Sequence, residues 1–325
     1  MTGQARVSLT AFIADEQDDP HLGALVDAVA SACWSISRIV RKAALDGNLG
    51  TTNCHNVQGE DQKPLDILAN DEFFRALGQC PQVAAVLSEE VGEVIWMKAP
   101  KRGDFTLSCD PLDGSSNLDA NLSVGTIFAV GQVANDGDRT VLKTGRSLRC
   151  AGYAVYGPST MFVLALNGQV NGFTLDEDAD DFVLTHPNLK IPPETSEFAI
   201  NASRQAHWDD AVTDYVEGCI AGEQGPRAKT FNMRWTASMV ADVHRILTRG
   251  GVFLYPADAQ NRSQGGKLRL MYEAIPMAMI AEAAGGAATD GIAPILDIEP
   301  QGPHQRIAVV LGSSSEVSLI ADGYR

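Results

Sequence analysis

Few stretches limit what a chain can fold into as strongly as Asp110-Pro-Leu-Asp-Gly-Ser-Ser-Asn117. Just before it, Phe105, Leu107 and Cys109 alternate with Thr106 and Ser108, the period-two pattern of a strand. Two aspartates therefore stand where an apolar strand ends, a usual place for ligand sites in open α/β sheets. The Gly-Ser-Ser run offers backbone N–H groups and hydroxyls to a phosphate. Adjacent acids in Ser88-Glu89-Glu90 are available to join the aspartates, with Glu60, Asp66 and Glu273 further along the chain. Taken singly, Asp-Pro and Asp-Gly are also turn residues and paired glutamates also face water. Their coincidence carries the argument. Bare carboxylates about 4 Å apart repel by roughly 1 kcal/mol in water and roughly 4 kcal/mol at an effective dielectric of 20. Such a cluster protonates or splays unless divalent cations hold it. Hard oxygen ligands without His or Cys select magnesium or manganese over zinc. The pattern points to metal-dependent phosphoryl transfer.

The 325 residues suffice for one large domain or two ordinary ones. A net charge of −16 argues against nucleic acid or an anionic membrane as main partner. An acidic protein that handles an anionic phosphate needs local positive charge, which metal ions supply. No stretch is expected to be apolar enough for a spanning helix, and residues 1–19 lack a basic-then-apolar leader. The six cysteines are scattered without C-x-x-C, as expected for reduced thiols in a cytoplasmic protein. The six histidines form no zinc-type cluster.

Asp18, Asp19 and Pro20 open a helix whose stripe (Leu22, Val26, Val29, Cys33, Ile36, Val40) runs over 22–43. The turn-rich segment 48–63 reads as a mobile loop, and 65–77 as a helix. Strands are expected over 126–130 and within 153–174, where Asn167-Gly168 is a two-residue hairpin turn. The prolines of Lys190-Ile-Pro-Pro-Glu-Thr-Ser196 divide the chain into 1–190 and 191–325. Beyond them, helices over 236–247 and 272–284 alternate with strands over 252–255 and 307–311, so the fold class is α/β. Asp176 to Asp181 lacks the glycine and terminal glutamate of a calcium loop and reads as a solvated acidic loop. Gln264-Gly-Gly-Lys267 is no phosphate-binding P-loop. Lys267 and Arg269 remain open between site neighbours and surface charge. No G-x-S-x-G signature supports a serine nucleophile.

The octapeptide, Ser88-Glu89-Glu90 and Lys267-Leu-Arg-Leu-Met-Tyr-Glu273 together resemble class I fructose-1,6-bisphosphatase. Val40-Arg-Lys-Ala43, Gly125-Thr-Ile-Phe128, Ser238-Met-Val-Ala-Asp-Val-His-Arg245 and Gly251-Val-Phe-Leu-Tyr-Pro256 extend the likeness over nearly the whole chain. The resemblance implies a layered αβαβα sandwich of the sugar phosphatase type, assembled as a homotetramer. It implies hydrolysis of D-fructose 1,6-bisphosphate to fructose 6-phosphate and phosphate, in gluconeogenesis or the Calvin cycle. By matching position, Glu89, Glu90, Asp110, Asp113, Glu273 and the Leu112 carbonyl would hold Mg2+, or Mn2+ in its place, with Glu60 as a further acid. Asp66 would pair with Glu90 to orient and deprotonate the attacking water. Asp113, Gly114, Ser115 and Ser116 would cradle the departing phosphate, Arg269 would steady its charge, and Lys267 would contact the sugar. Asn201, Tyr255 and Arg234 would take the distal phosphate, Arg234 from a neighbouring subunit.

The chain departs from the family pattern at the distal end, where Arg204 and Trp235 replace two tyrosines. That leaves sedoheptulose 1,7-bisphosphate open as a substrate. The family's AMP site here reads Asp19-Pro-His-Leu-Gly23, Asp104-Phe105 and Gln132. Acid stands where a phosphate should bind, so AMP inhibition by that route is expected to be weak or absent. The cysteine-bearing insertion of redox-regulated relatives is missing around 135–148. Two other readings are a phosphatase of the inositol monophosphatase type and a silent metal-binding regulator on the same scaffold.

Overall fold

The computed structural model describes residues 6–16, 19–50 and 63–325. Helix α1 (Leu9–Glu16) precedes α2 (Pro20–Lys42), which starts where the sequence places it. The Asp19 carboxylate caps it by accepting from the His21 and Leu22 N–H groups at 3.0 and 3.4 Å. Pro20 fills the first turn and Arg41-Lys42 the last. By length and composition α2 does pass for a membrane span, with a mean hydropathy of 1.3, which corrects the expectation that no segment would. Its stripe Leu22, Val26, Val29, Cys33 and Ile36 is packed inside the protein. Helix α3 (Pro64–Leu77) follows.

Strands β1 (Val83–Ser88), β2 (Ile95–Trp96), β3 (Phe105–Asp113), β4 (Val124–Gln132), β5 (Cys150–Tyr156), β6 (Thr160–Leu166), β7 (Gln169–Asp176) and β8 (Asp181–His186) form one sheet, ordered β2-β1-β3-β4-β5-β6-β7-β8. β1 and β3 are parallel, and the remaining neighbours antiparallel. Asn167 and Gly168 both take positive φ in the β6–β7 turn, as a tight hairpin requires. Asp176 and Asp181 pair across the β7–β8 hairpin, so the acidic run is its turn.

The second half contributes β9 (Glu197–Ile200), α4 (Asp210–Ile220), β10 (Asn232–Met233), α5 (Met239–Arg249) and β11 (Val252–Tyr255). It continues through β12 (Leu268–Arg269), α6 (Ile275–Ala283), β13 (Ala287–Thr289), β14 (Arg306–Ile307), β15 (Val309–Gly312) and α7 (Ser314–Gly323). A second sheet is ordered β10-β9-β11-β15-β13, and β12 pairs with β14 apart from it. Two boundaries differ from expectation. Helix α5 begins after Ser238, whose hydroxyl caps it, and α6 is preceded by a π-helical turn at Leu270–Ala274.

Strand periodicity stacks the layers. Phe162, Leu164 and Leu166 of β6 pack with α1–α3, while Met161, Val163 and Ala165 face α5 and α6. Phe253 of β11 closes the other side of that helix layer, and Val252 and Leu254 turn to α4 and α7. The order is helix, sheet, helix, sheet, helix, as the resemblance implies. The cysteines among the described residues are free thiols; Cys54 and Glu60 lie outside the described residues.

Candidate active site

Residues three apart on a regular strand face opposite sides. Asp110 and Asp113 escape this through a β-bulge. Asp110 pairs with Ile127 and Asp113 with Gly125, so one extra residue is inserted in β3 and both carboxylates emerge on the same side. Asp110 Oδ1 accepts from the Leu112 N–H at 2.9 Å, and the Pro111 carbonyl accepts from Thr126 Oγ1 at 2.7 Å. Asp113 also lies against the start of α5. Its Oδ2 accepts from Ser238 Oγ at 2.7 Å and the Val240 N–H at 2.9 Å, and its Oδ1 from the Met239 N–H at 3.3 Å. Gly114 takes φ +74°, and a Cβ there would lie 2.6 Å from Ser238 Cβ, so only glycine turns the chain beneath that helix.

Glu273 comes from the π turn, a helical defect common at functional sites. Its Oε2 accepts from the Arg269 N–H at 2.5 Å, and Ser108 Oγ of β3 donates to the Met271 carbonyl at 2.9 Å. Ligand oxygens of Asp110, Asp113 and Glu273 lie within 4.8 Å of one another, and all three residues are buried. Burial first, then the Glu89, Asp113 and Glu273 charges, holds the Asp110 carboxyl well above the ordinary aspartate range. Burial and Glu89 raise Glu273 likewise. Burial also raises Asp113, opposed by its hydrogen bonds from Ser238 and the Val240 and Met239 N–H groups. Three buried acids that resist ionisation, all hard oxygen donors, are a fitting seat for a divalent cation.

These acids open into a cavity of about 650 Å³. Glu89, Glu90, Asp110, Leu112, Asp113 and Glu273 line it, with Gly114, Ser115 and Ser116 beside them. Asp66 also faces it from the first turn of α3, where its Oδ2 accepts from the Lys63 N–H at 2.8 Å. Asn201, Tyr255 and Lys267 line the far end. Two of the expected residues do not line this cavity, though the resemblance gives Arg234 to a neighbouring subunit's site rather than to its own. Arg269 is buried, its Nη1 donating to the Lys267 carbonyl at 2.9 Å, and does not line the cavity. Arg234 lies outside the lining, its Nε 3.8 Å from the Glu197 carboxylate, which also binds Arg245 and Arg249. Glu60 lies outside the described residues.

The lining also holds residues not singled out from the sequence, among them Lys63, Asp119 and Ser238. Asp119 accepts from Lys63 Nζ at 2.6 Å and from the Gly50 N–H at 3.1 Å. Ser238 had a sequence signal, a hydroxyl residue ahead of an apolar-periodic run. At the distal end Trp235 stacks on Phe253, rings 5.8 Å apart and 11° from parallel, beside Tyr255. Arg204 gives its Nε and Nη2 to Asp258 Oδ2 at 2.9 and 2.6 Å and stays outside the main lining. Its charge is thus matched locally.

Family models decide the identity. "Fructose-1-6-bisphosphatase, N-terminal domain" matches residues 7–187, and "Fructose-1-6-bisphosphatase, C-terminal domain" matches 191–325. The chain belongs to the fructose-1,6-bisphosphatase family. It is a phosphoric monoester hydrolase, a fructose-1,6-bisphosphate 1-phosphohydrolase, and its family is metal-dependent. Among similar solved structures is Leishmania major fructose-1,6-bisphosphatase in holo form, 36% identical, with a TM-score of 0.92 over 98% of this chain and 99% of that one. Its apo and T-state forms are each 34% identical with TM-scores of 0.87, at 98% and 99% coverage.

Proposed function

We propose that this fructose-1,6-bisphosphatase uses magnesium, with manganese as a substitute, to release the 1-phosphate of fructose 1,6-bisphosphate. The convergence of Asp110, Asp113 and Glu273 within 4.8 Å carries the reading. Glu89, Glu90 and the Leu112 carbonyl stand in the same cavity to complete the coordination. When bound, the cations supply positive charge for the phosphoryl oxygens and acidify water. The chain's own residues do the rest. Gly114, Ser115 and Ser116 present N–H and hydroxyl donors to the transferred phosphate. Asp66, with Glu90, orients the attacking water and takes its proton. Lys267 holds the sugar, and Asn201 and Tyr255 grip the distal phosphate, which fixes the reacting end in place. Arg269, behind Lys267, adds positive charge without lining the cavity. Arg234, outside its own cavity, serves a neighbouring subunit of a homotetramer. Residues 1–190 supply the phosphate cradle and every metal-site acid except Glu273, which comes with the sugar end from 191–325, in a cytoplasmic enzyme of gluconeogenesis or the Calvin cycle.

Phosphate release from fructose 1,6-bisphosphate, in magnesium and in excess chelator, tests this. Turnover that needs magnesium supports the proposal, and equal rates in chelator overturn it. Sedoheptulose 1,7-bisphosphate is the second reading. The pairing of Arg204 with Asp258 favours it, because it holds that side chain outside the main lining, whereas Trp235, stacked on Phe253, forms part of the cavity wall. Comparable kcat/KM on the two sugars supports dual use; rates on the seven-carbon sugar at background remove it.

A further inference from the structure

The acids of the site arrive on separate segments: the turn after β1 with Glu89 and Glu90, the bulged end of β3 with Asp110 and Asp113, and the π turn with Glu273. Like charges on separate segments drift apart unless something ties the segments together. Two of the ties are plain. The Glu89 N–H donates to the Cys109 carbonyl at 3.1 Å, fastening the first segment to β3. Ser108 Oγ donates to the Met271 carbonyl, fastening β3 to the π turn.

A histidine makes the remaining tie. His304 Nε2 lies 3.1 Å from the Gly92 carbonyl, in the loop that leaves Glu89-Glu90. His304 Nδ1 lies 2.9 Å from the hydroxyl of Tyr272, the residue next to Glu273. A carbonyl only accepts, so Nε2 bears the hydrogen; Nδ1 then accepts from the tyrosine O–H. The direction of each bond is fixed by its partners. His304 is itself fixed on the Glu273 side, since the Leu270 N–H donates to the Gln305 carbonyl at 2.8 Å and Arg306 pairs with Arg269. The imidazole therefore spans from the Glu273 segment to the Glu89 segment. Neither Tyr272 nor His304 lines the cavity, so neither reaches substrate.

We propose that His304, through Tyr272 and Gly92, is a positioning residue for the divalent-cation site, setting the Glu89–Glu90 turn against Glu273. The inference rests on the reading of Glu89 and Glu273 as cation ligands.

Mn2+ binding to the full chain without substrate, read from the free-ion electron paramagnetic resonance signal, tests it alongside melting temperature in chelator. His304→Ala and Tyr272→Phe should each weaken Mn2+ binding by about tenfold, as loss of outer-shell partners commonly does. Combining them should weaken it little further, because both break the same bridge. His304→Gln, whose amide can donate to Gly92 and accept from Tyr272, should recover most of the affinity. Tyr272→Phe removes one hydroxyl and carries the test if His304→Ala does not fold. Wild-type Mn2+ affinity in Tyr272→Phe and His304→Ala overturns the proposal, even if both melt lower. Glu273→Gln is the control: if it binds Mn2+ like the wild type, the ligand reading itself falls and takes this inference with it.

Discussion

Asp110→Asn removes one charge from the acid cluster while keeping the side-chain shape and an acceptor for the Leu112 N–H. In the folded protein without metal, burial and the neighbouring Glu89, Asp113 and Glu273 raise the Asp110 pKa above its ordinary 3.8. The folded state then binds more protons than the unfolded one between those two values. Stability contributed by the protonated group is therefore present at low pH and lost as pH rises through the raised pKa. With oxygens at 4.8 Å, each fully ionised pair costs about 3.5 kcal/mol at an effective dielectric of 20. Residual protonation relieves part of that repulsion, so the variant should gain on the order of 1–3 kcal/mol at pH 8 in chelator.

An unfolding entropy of about 2.1 cal/mol/K per residue makes 1 kcal/mol worth about 1.5 °C in a chain this long. The metal-free variant should accordingly melt about 2–5 °C above wild type at pH 8, with the gap closing toward pH 5. Magnesium reverses the order. At a hundred times its Kd it adds about 2.7 kcal/mol to wild type, roughly 4 °C, and little to the variant. Thermal melts in chelator and in magnesium, across pH 5 to 8, read both effects. A variant that melts below wild type in chelator at pH 8, or gains as much from magnesium, refutes the reasoning.

Ser238→Ala deletes both the hydroxyl bond to Asp113 and the cap on the Ala241 N–H, so it should cost about 1–2 kcal/mol in urea unfolding and raise the magnesium needed for half-maximal activity; an unchanged magnesium requirement contradicts this. Burial, aided by His186, pushes His244 down to about 4, and its Nδ1 lies 2.8 Å from the Tyr153 hydroxyl. The stability it contributes is full above pH 6.5 and is lost as pH falls toward 4, about 3 kcal/mol in all; urea unfolding at pH 7 and 4.5 should show a slope that His244→Phe lacks. AMP should leave the rate nearly unchanged, because the resemblance would put Asp104, an acid bound to Lys98 Nζ at 2.7 Å, where the family's AMP phosphate binds; submicromolar inhibition competed by AMP-site ligands would show otherwise.

What the sequence disclosed was local. The strand before Asp110, the capped start of α2 and the turn at Asn167-Gly168 each rest on interactions within a few residues, so their patterns survive in one dimension. β1 did not stand out, because its six residues are buried on both faces and show no alternation. Helix α5 starts at Met239, after the expected 236, since the hydroxyl of Ser238 decides where the backbone enters the helix.

The site itself depends on contacts that no window contains. By strand period alone, Asp110 and Asp113 belong on opposite faces, and only the bulge against β4 reconciles them. Arg204 shows the converse. Its charge is evident in the sequence, yet its direction is set by Asp258, a residue more than fifty positions away. The two ends of the cavity consequently differ in kind. At the proximal end the chain gathers negative charge that it leaves for a cation to neutralise. At the distal end Arg204 is already paired with Asp258, which leaves Asn201 and Tyr255 of the lining, and under the proposed function Arg234 of a neighbouring subunit, to meet the second phosphate. Under the proposed function such a division would make affinity depend on assembly and chemistry depend on metal, so dilution on one side and chelation on the other should separate the two.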